Sequence, residues 1–167
     1  WLQDSFHCVH AGAGHTQFGG LDPHTGPPAW LEQLNEYGIP CQWQPDIQAV
    51  LWRKLAINCL INPLTVIHGC RNGELTQYLP RIRLLAGELE QLLQAAGQHG
   101  AARDLYTGAR QVIESTAANT SSMLQDVQHN RRTEISYITG FALQQARALA
   151  VPHPQLQGLH QELQQQL

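Results

Sequence analysis

Apolar residues recur every three to four positions through most of the chain after residue 45, as they do in amphipathic α-helices. This period predicts a mainly α-helical fold with helices near 45–68, 79–98, 102–117, 121–150 and 154–166. Pro45 suits the first turn of the first of these helices, and Gly100 is expected to end the second. The last helix carries one narrow stripe of leucines, so we expect it to lie at the periphery of the domain.

The first 45 residues have the pattern of short strands separated by turns. Alternating apolar and polar positions predict two strands within 5–18 and another at 39–44. Between them, residues 28–37 predict a helix, and Gly38 is a natural residue to follow its end. We therefore expect a short β segment in front of the helical part of the chain.

A glycine pair in this β segment resembles a nucleotide-binding loop only superficially. Gly12 and Gly14 follow a strand, but Gln17 stands where the third glycine of such a loop belongs. We interpret the pair as a hairpin turn. The histidines nearby do not form a metal-ligand set either, because strand alternation places His7 on the opposite face from His10. No metal site is expected.

Composition narrows the class of protein. The 167 residues are 43% hydrophobic and 14% charged, which is enough apolar material for a core. A net charge of -3 argues against a nucleic-acid partner, and no uninterrupted run of about 18 apolar residues predicts a membrane span. Four cysteines without a CxxC spacing indicate reduced thiols in a cytoplasmic protein. Because the chain starts at Trp1 and its only methionine is Met123, we expect a piece of a longer protein.

The first long helix carries polar residues on one side of an otherwise apolar sequence. Lys54, Asn58 and Asn62 follow each other at intervals of four, which places them in one stripe. Lys54 is also the only lysine beside nine arginines. Burying a cation and two amides is costly unless partners or a wet cleft receive them. The stripe is either a buried polar network that fixes helix packing or the wall of a ligand cleft.

The helix predicted at 121–150 carries two further candidates. On a helical wheel Glu134 falls inside an apolar stripe that includes Met123 and Phe141, where a carboxylate needs a partner. The alternative is a solvated helix segment with Glu134 at its edge. Ser122 is either a ligand-binding hydroxyl or an ordinary residue at the start of a helix.

Three strings of this sequence resemble the ketopantoate reductase (2-dehydropantoate 2-reductase) family. They are LWRKLAINCLINPLT at 51–65, CRNGEL at 70–75, and SSMLQDV with RRTEISYITG between 121 and 140. The resemblance implies a C-terminal multi-helix domain of the 6-phosphogluconate-dehydrogenase-like type at 46–167. Residues 1–45 would then be remnant strands and a helix of a Rossmann cofactor-binding domain.

The resemblance also implies the site. Lys54 would be the general acid, and Glu134 the carboxylate that meets the substrate hydroxyl and the cofactor's ribose region. Four residues would hold the substrate: Asn58, Asn62, Asn72 and Ser122. The chemistry agrees, because hydride transfer to a ketone leaves an alkoxide that an ammonium can protonate and a guanidinium cannot.

The function implied by the resemblance is reduction of 2-dehydropantoate to pantoate with NADPH in pantothenate biosynthesis. The family's glycine-rich loop is missing from this sequence, so NADPH would be bound mainly by a part that precedes it, and the chain alone would be inactive. Two alternatives remain open: a reductase of the same fold acting on another 2-keto acid, and a non-catalytic helical interaction or dimerisation module. A homodimer is compatible with each of them.

Overall fold

The computed structural model of the protein describes residues 2–4, 6–8, 16–22 and 24–167. Helices dominate the described residues, as the apolar period predicts. The strands are β1 (Leu2–Asp4), β2 (His7–Cys8), β3 (Thr16–Phe18) and β4 (Cys41–Trp43). The helices are α1 (Trp30–Glu36), α2 (Ile47–His68), a 3₁₀ helix (Asn72–Tyr78), α3 (Leu79–Ala95), α4 (His99–Ala102), α5 (Leu105–Ser115), α6 (Ser122–Gln128), α7 (Thr139–Ala148) and α8 (Pro154–Gln164).

The chain forms two compact units, Trp1–Gln48 and Ala49–Leu167. In the first unit β1 pairs with β2 in antiparallel fashion, and β3 pairs with β4 in parallel. Gly38 follows the end of α1 with a φ of +76°, which confirms its predicted place. The glycine pair at Gly12 and Gly14 lies outside the described residues. The predicted assignment of 1–45 and 46–167 to two functional domains stays a prediction.

The side chain of Asn35 joins α1 to β4 within the first unit. Its Oδ1 accepts a hydrogen bond from the backbone N–H of Cys41 at 2.7 Å, and its Nδ2 donates to the carbonyl of the same residue at 3.1 Å. One amide side chain therefore satisfies both backbone groups at the start of β4.

The second unit is built around α2 and α3. The apolar positions of α3 recur with helical spacing and are all buried: Ile82, Leu85, Ala86, Leu89, Leu92 and Leu93. Each buried leucine or isoleucine stabilises the fold by about 1.5–3 kcal/mol relative to an exposed one. α3 contacts α4, α5, α8 and the 3₁₀ helix, so it is the centre on which the other helices assemble.

Helix α2 is long and apolar enough, by length and composition, to cross a membrane, with a mean hydropathy of 1.3. Polar residues interrupt it, so it contains no uninterrupted apolar run of that length. Half of the apolar stretch is buried inside the protein. Because a buried core helix can have the same length and composition, packing in this core is sufficient to explain the composition of α2.

The single helix predicted at 121–150 is wrong. α6 ends at Gln128, Asn130 adopts a φ of +52°, and α7 begins only at Thr139. Residues 129–134 directly after α6 are all polar, so continuing the helix through them would gain little burial. Asparagine tolerates the left-handed conformation better than most residues, which permits the break.

Other helix ends also differ from the prediction. α3 ends at Ala95 because Gly97, with a φ of +75°, reverses the chain there, and Gly100 lies inside α4. α5 starts at Leu105, after Asp104 in the left-handed region. α2 begins at Ile47. The last helix, α8, is not peripheral, since three of its leucines are fully buried: Leu156, Leu159 and Leu163.

Candidate active site

The polar stripe of α2 runs from the surface into the interior of the second unit. Because α2 is helical throughout Ile47–His68, Lys54, Asn58 and Asn62 lie on successive turns of one face. Lys54 is exposed, Asn58 is partly buried, and Asn62 is only 7% exposed. The side chain of Lys54 therefore stands in solvent at the outer end of the stripe, so this end is not part of a buried polar network.

Arg53, the neighbour of Lys54, has an anchoring role that the sequence did not reveal. Its Nη1 donates hydrogen bonds to the carbonyls of Ala101, at 3.1 Å, and Arg103, at 2.7 Å. Gly108 leaves room for the guanidinium, which would collide with any Cβ at that position. Arg53 therefore ties α2 to the connection between α4 and α5, while Lys54 has no part in the described ion pairs.

A pair of buried hydroxyls joins the inner part of α2 to the start of α6. Thr65 Oγ1 donates to the carbonyl of Asn62 at 2.7 Å and lies 2.6 Å from Ser121 Oγ. Ser121 caps α6 by accepting a hydrogen bond from the N–H of Leu124 at 3.1 Å. Ser122 is the next residue, exposed at the first position of α6. These contacts bring the turn of Asn62 and the start of α6 together.

Asn72 begins the 3₁₀ helix and is held against the segment that precedes α6. Its Nδ2 donates to Thr116 Oγ1 at 2.8 Å, and its N–H donates to the carbonyl of Asn119 at 3.0 Å. Its Oδ1 is buried and has no hydrogen-bond partner among the described residues. An unpaired buried acceptor is costly, so this oxygen is suited to a donor that arrives from outside the chain.

Gly73 allows this close approach. Its N–H donates to the carbonyl of Ala117 at 3.1 Å, and a Cβ placed on Gly73 would lie 2.7 Å from the Ala117 Cβ. Real Cβ atoms essentially never come so close. The glycine of the CRNGEL string is therefore a packing requirement that keeps Asn72 beside the 116–119 segment.

Glu134 does not lie on a helix, so its predicted place in an apolar helical stripe is wrong. It opens a turn in which its carbonyl accepts hydrogen bonds from the N–H groups of Tyr137, at 2.9 Å, and Ile138, at 3.0 Å. Its side chain is exposed. A carboxylate in this position carries no burial penalty and is free to accept hydrogen bonds from a ligand.

Two pairs of hydrogen bonds fix the ends of the segment that carries Glu134. Before it, Arg131 Nε donates to Asp126 Oδ1 at 2.9 Å, and the Arg131 N–H donates to the Asp126 carbonyl at 2.8 Å. After it, Thr139 Oγ1 lies 2.7 Å from His160 Nδ1 and donates to the Ile135 carbonyl at 3.3 Å. The exposed carboxylate thus stands on a braced turn.

Hydrogen bonds connect the segments that carry three of the predicted residues: Asn62, Asn72 and Ser122. Lys54 lies two turns further out on the face of Asn62. No hydrogen bond or ion pair joins Lys54 to Glu134 in the part of the chain that the structure describes. A surface depression of about 550 Å³ between α3 and α5 contains none of the predicted site residues. The cleft shared by Lys54 and Glu134 stays a prediction.

A second polar cluster, formed by His68, Tyr78, Arg81 and Glu162, was not predicted from the sequence. The rings of His68 and Tyr78 stack with centroids 3.7 Å apart. Burial and the nearby charge of Arg81 lower the pKa of His68, while Glu162 acts in the opposite direction. The hydrogen bond from Arg81 lowers the pKa of Glu162. The cluster joins α2, the 3₁₀ helix, α3 and α8.

Comparison with known proteins identifies the family. The model of the family described as "Ketopantoate reductase PanE/ApbA C terminal" matches residues 46–166. The chain belongs to the ketopantoate reductase family. Its sequence is 43% identical to the 2-dehydropantoate 2-reductase of Salmonella typhi over 147 residues, which are 86% of this chain and 48% of the relative. It is 40% identical to that of Vibrio cholerae over 157 residues, 92% of this chain and 53% of the relative.

Solved structures of ketopantoate reductases share the fold. A PanE/ApbA family enzyme from Ralstonia eutropha superposes with a TM-score of 0.77 at 22% identity, over 92% of this chain and 52% of that one. The 2-dehydropantoate 2-reductase from Methylococcus capsulatus gives a TM-score of 0.73 at 23% identity, over 89% and 49%. The chain thus spans about half the length of the relatives that it matches.

Proposed function

We propose that this chain carries the substrate-binding and proton-donating part of an NADPH-dependent 2-dehydropantoate 2-reductase, which produces pantoate for pantothenate synthesis in the cytoplasm. Membership of the ketopantoate reductase family supports this proposal. The observation that carries it is the polar stripe of α2, which ends at the surface in the only lysine of the chain. A stripe of this kind offers hydrogen bonds to a small anion and a proton to its reacting oxygen.

Lys54 has the properties that the proton-transfer step requires. Reduction turns the ketone oxygen of a 2-keto acid into an alkoxide, which needs a positive charge and then a proton. An ammonium supplies both, whereas a guanidinium holds its protons too tightly to donate them. Arg53, one residue earlier, is committed to the carbonyls of Ala101 and Arg103. Lys54 is the adjacent cation that remains available for substrate.

The remaining residues hold the substrate in this proposal. Asn58, Asn62 and Ser122 donate or accept hydrogen bonds along the α2–α6 junction, and the unpaired Asn72 Oδ1 accepts one from a hydroxyl. Glu134 accepts a hydrogen bond from a hydroxyl of substrate or of the cofactor's ribose, which fits its exposed and braced position. When bound, the nicotinamide supplies the hydride.

The cofactor would be held mainly by the half of the reductase that this chain does not match. We therefore define the complete reductase as this chain joined to the part of the Salmonella typhi relative that it does not match. The decisive experiment follows NADPH oxidation by the complete reductase with 2-dehydropantoate and with a panel of 2-keto acids that lack its hydroxyl. Turnover that prefers 2-dehydropantoate supports the proposal.

The other outcomes separate the alternatives. Faster turnover of another 2-keto acid would assign a different substrate to the same fold. An absence of turnover with every 2-keto acid, in a folded protein that binds NADPH, would leave the helical interaction module as the remaining reading.

A further inference from the structure

We propose that Thr65 and Ser121 are positioning residues, whose buried hydroxyl pair sets Asn62 and Ser122 in register for the 2-keto acid. The inference rests on the proposed function. It names two residues that act through their neighbours rather than by touching the substrate. The two hydroxyls connect α2 to α6, the helices that carry the proposed substrate-binding residues Asn62 and Ser122.

The direction of each hydrogen bond follows from the number of protons available. Thr65 has one hydroxyl proton and donates it to the carbonyl of Asn62 at 2.7 Å. Its oxygen, 2.6 Å from Ser121 Oγ, must therefore accept the proton of Ser121. The oxygen of Ser121 in turn accepts from the N–H of Leu124 at 3.1 Å. A continuous chain of donors runs from the backbone of α6 to the backbone of α2.

Burial of the two hydroxyls favours one arrangement of α6 against α2. Thr65 is 0% and Ser121 6% exposed, so water does not offer them an alternative partner. Moving α6 relative to α2 would leave a buried hydroxyl without a hydrogen-bond partner, which is unfavourable. The hydrogen-bonded series ends at the carbonyl of Asn62 itself, and Ser121 directly precedes Ser122. The positions of both proposed substrate-binding residues, Asn62 and Ser122, therefore depend on the same hydroxyl pair.

Thr65→Val in the complete reductase breaks the link while Ser121 keeps its cap on α6. We expect the KM for 2-dehydropantoate to rise about tenfold, because displaced Asn62 and Ser122 side chains would bind the substrate less well. The KM for NADPH should stay unchanged. Thr65→Ser retains the hydroxyl and should restore the KM for the keto acid to within about twofold. Ile82→Val, a buried change in α3 that removes no polar group, controls for lost stability.

The outcomes separate this inference from the proposed function. An active wild type whose KM for 2-dehydropantoate is the same in Thr65→Val overturns the inference alone. Equal KM changes in Thr65→Val and Ile82→Val also overturn it, since they would reflect stability. A wild type without reductase activity removes the proposed function and the inference with it. Should Thr65→Val not be recovered folded, Ser121→Ala is expected to raise the same KM, and an unchanged value there contradicts the proposal.

Discussion

Two neighbouring cationic residues of α2, Arg53 and Lys54, have different roles because they face different surroundings. Arg53 points towards carbonyl groups of the α4–α5 connection and fills the space that Gly108 leaves. Lys54, one residue further along the helix, is turned by about 100° and is exposed. The planar guanidinium suits a fixed, multiply bonded anchor, and the ammonium suits a transferable proton. The use of arginine at one position and lysine at the next matches these different demands.

Replacing Lys54 tests the proton-donor role directly. In the complete reductase, Lys54→Ala should lower kcat by about 10²–10⁴-fold, as expected for loss of a general acid. Lys54→Arg should recover little of this, because it restores charge without an available proton. Steady-state rates of NADPH oxidation measure both variants. Near-native turnover of Lys54→Arg would show that the residue serves as an electrostatic anchor only.

Cys59 provides a residue-scale test of α2 burial. The structure describes Cys41, Cys59 and Cys70 as free thiols, and burial raises the pKa of Cys59 to about 12. Since the thiolate is the reactive form, iodoacetamide near neutral pH should leave Cys59 unmodified in the native protein while it labels the partly exposed Cys41. Peptide mass spectrometry before and after denaturation measures this. Equal labelling of both cysteines in the native protein would contradict the buried placement of α2.

Among the helices, the sequence predicted those whose apolar faces are buried. It did not predict helix ends that are set by a local reversal of the chain. The helical period of α3 and α8 is visible because their leucines pack on one core. The ends of α3 and α6 depend on two residues in the left-handed conformation, Gly97 and Asn130, and Gly100 was an equally plausible end for α3 in the sequence. Propensity alone does not choose among them, since the choice depends on tertiary packing.

The candidate site shows the same limit. The spacing of Lys54, Asn58 and Asn62 predicted one helical face, and the structure has it. Exposure could not be predicted, because it depends on which elements cover the helix. The partners of Thr65 and Asn72 lie 56 and 44 residues away along the chain, so no local pattern pointed to them. The roles assigned to these residues stay predictions.

The junction of the 3₁₀ helix with the segment before α6 is testable with glycine variants. Gly73→Ala places a Cβ 2.7 Å from Ala117, so we expect a loss of about 1–3 kcal/mol in the free energy of unfolding. Gly87→Ala in α3 is the matched control, because its Cβ meets nothing within 4 Å. It should stabilise the helix by about 0.5–1 kcal/mol. Urea unfolding of both variants measures the difference, and an unchanged midpoint for Gly73→Ala would contradict the tight approach.

For the second unit as a whole, titratable side chains sit at the places where several elements meet. His68 stacks on Tyr78 beside the Arg81–Glu162 ion pair, and His160 of α8 bonds Thr139 of α7. Burial lowers the pKa of both histidines, and the charge of Arg147 lowers that of His160 further. The packing of α8 on the core is therefore linked to protonation at two separate points.

This linkage predicts how stability changes with pH. Because the folded-state pKa values of His68 and His160 lie below the ordinary value of 6.5, the unfolded chain binds more protons as the pH falls past 6.5. The free energy of unfolding should therefore be highest above that pH and decrease towards about pH 5, with Glu162 adding to the loss in more acidic solution because its pKa is also lowered. Urea unfolding at a series of pH values measures the slope. His68→Phe preserves the stacking and should reduce the slope, whereas His99→Gln, at an exposed position, serves as the control. A slope that is the same in the wild type and in His68→Phe would mean that His68 is not the group through which acid acts on the fold.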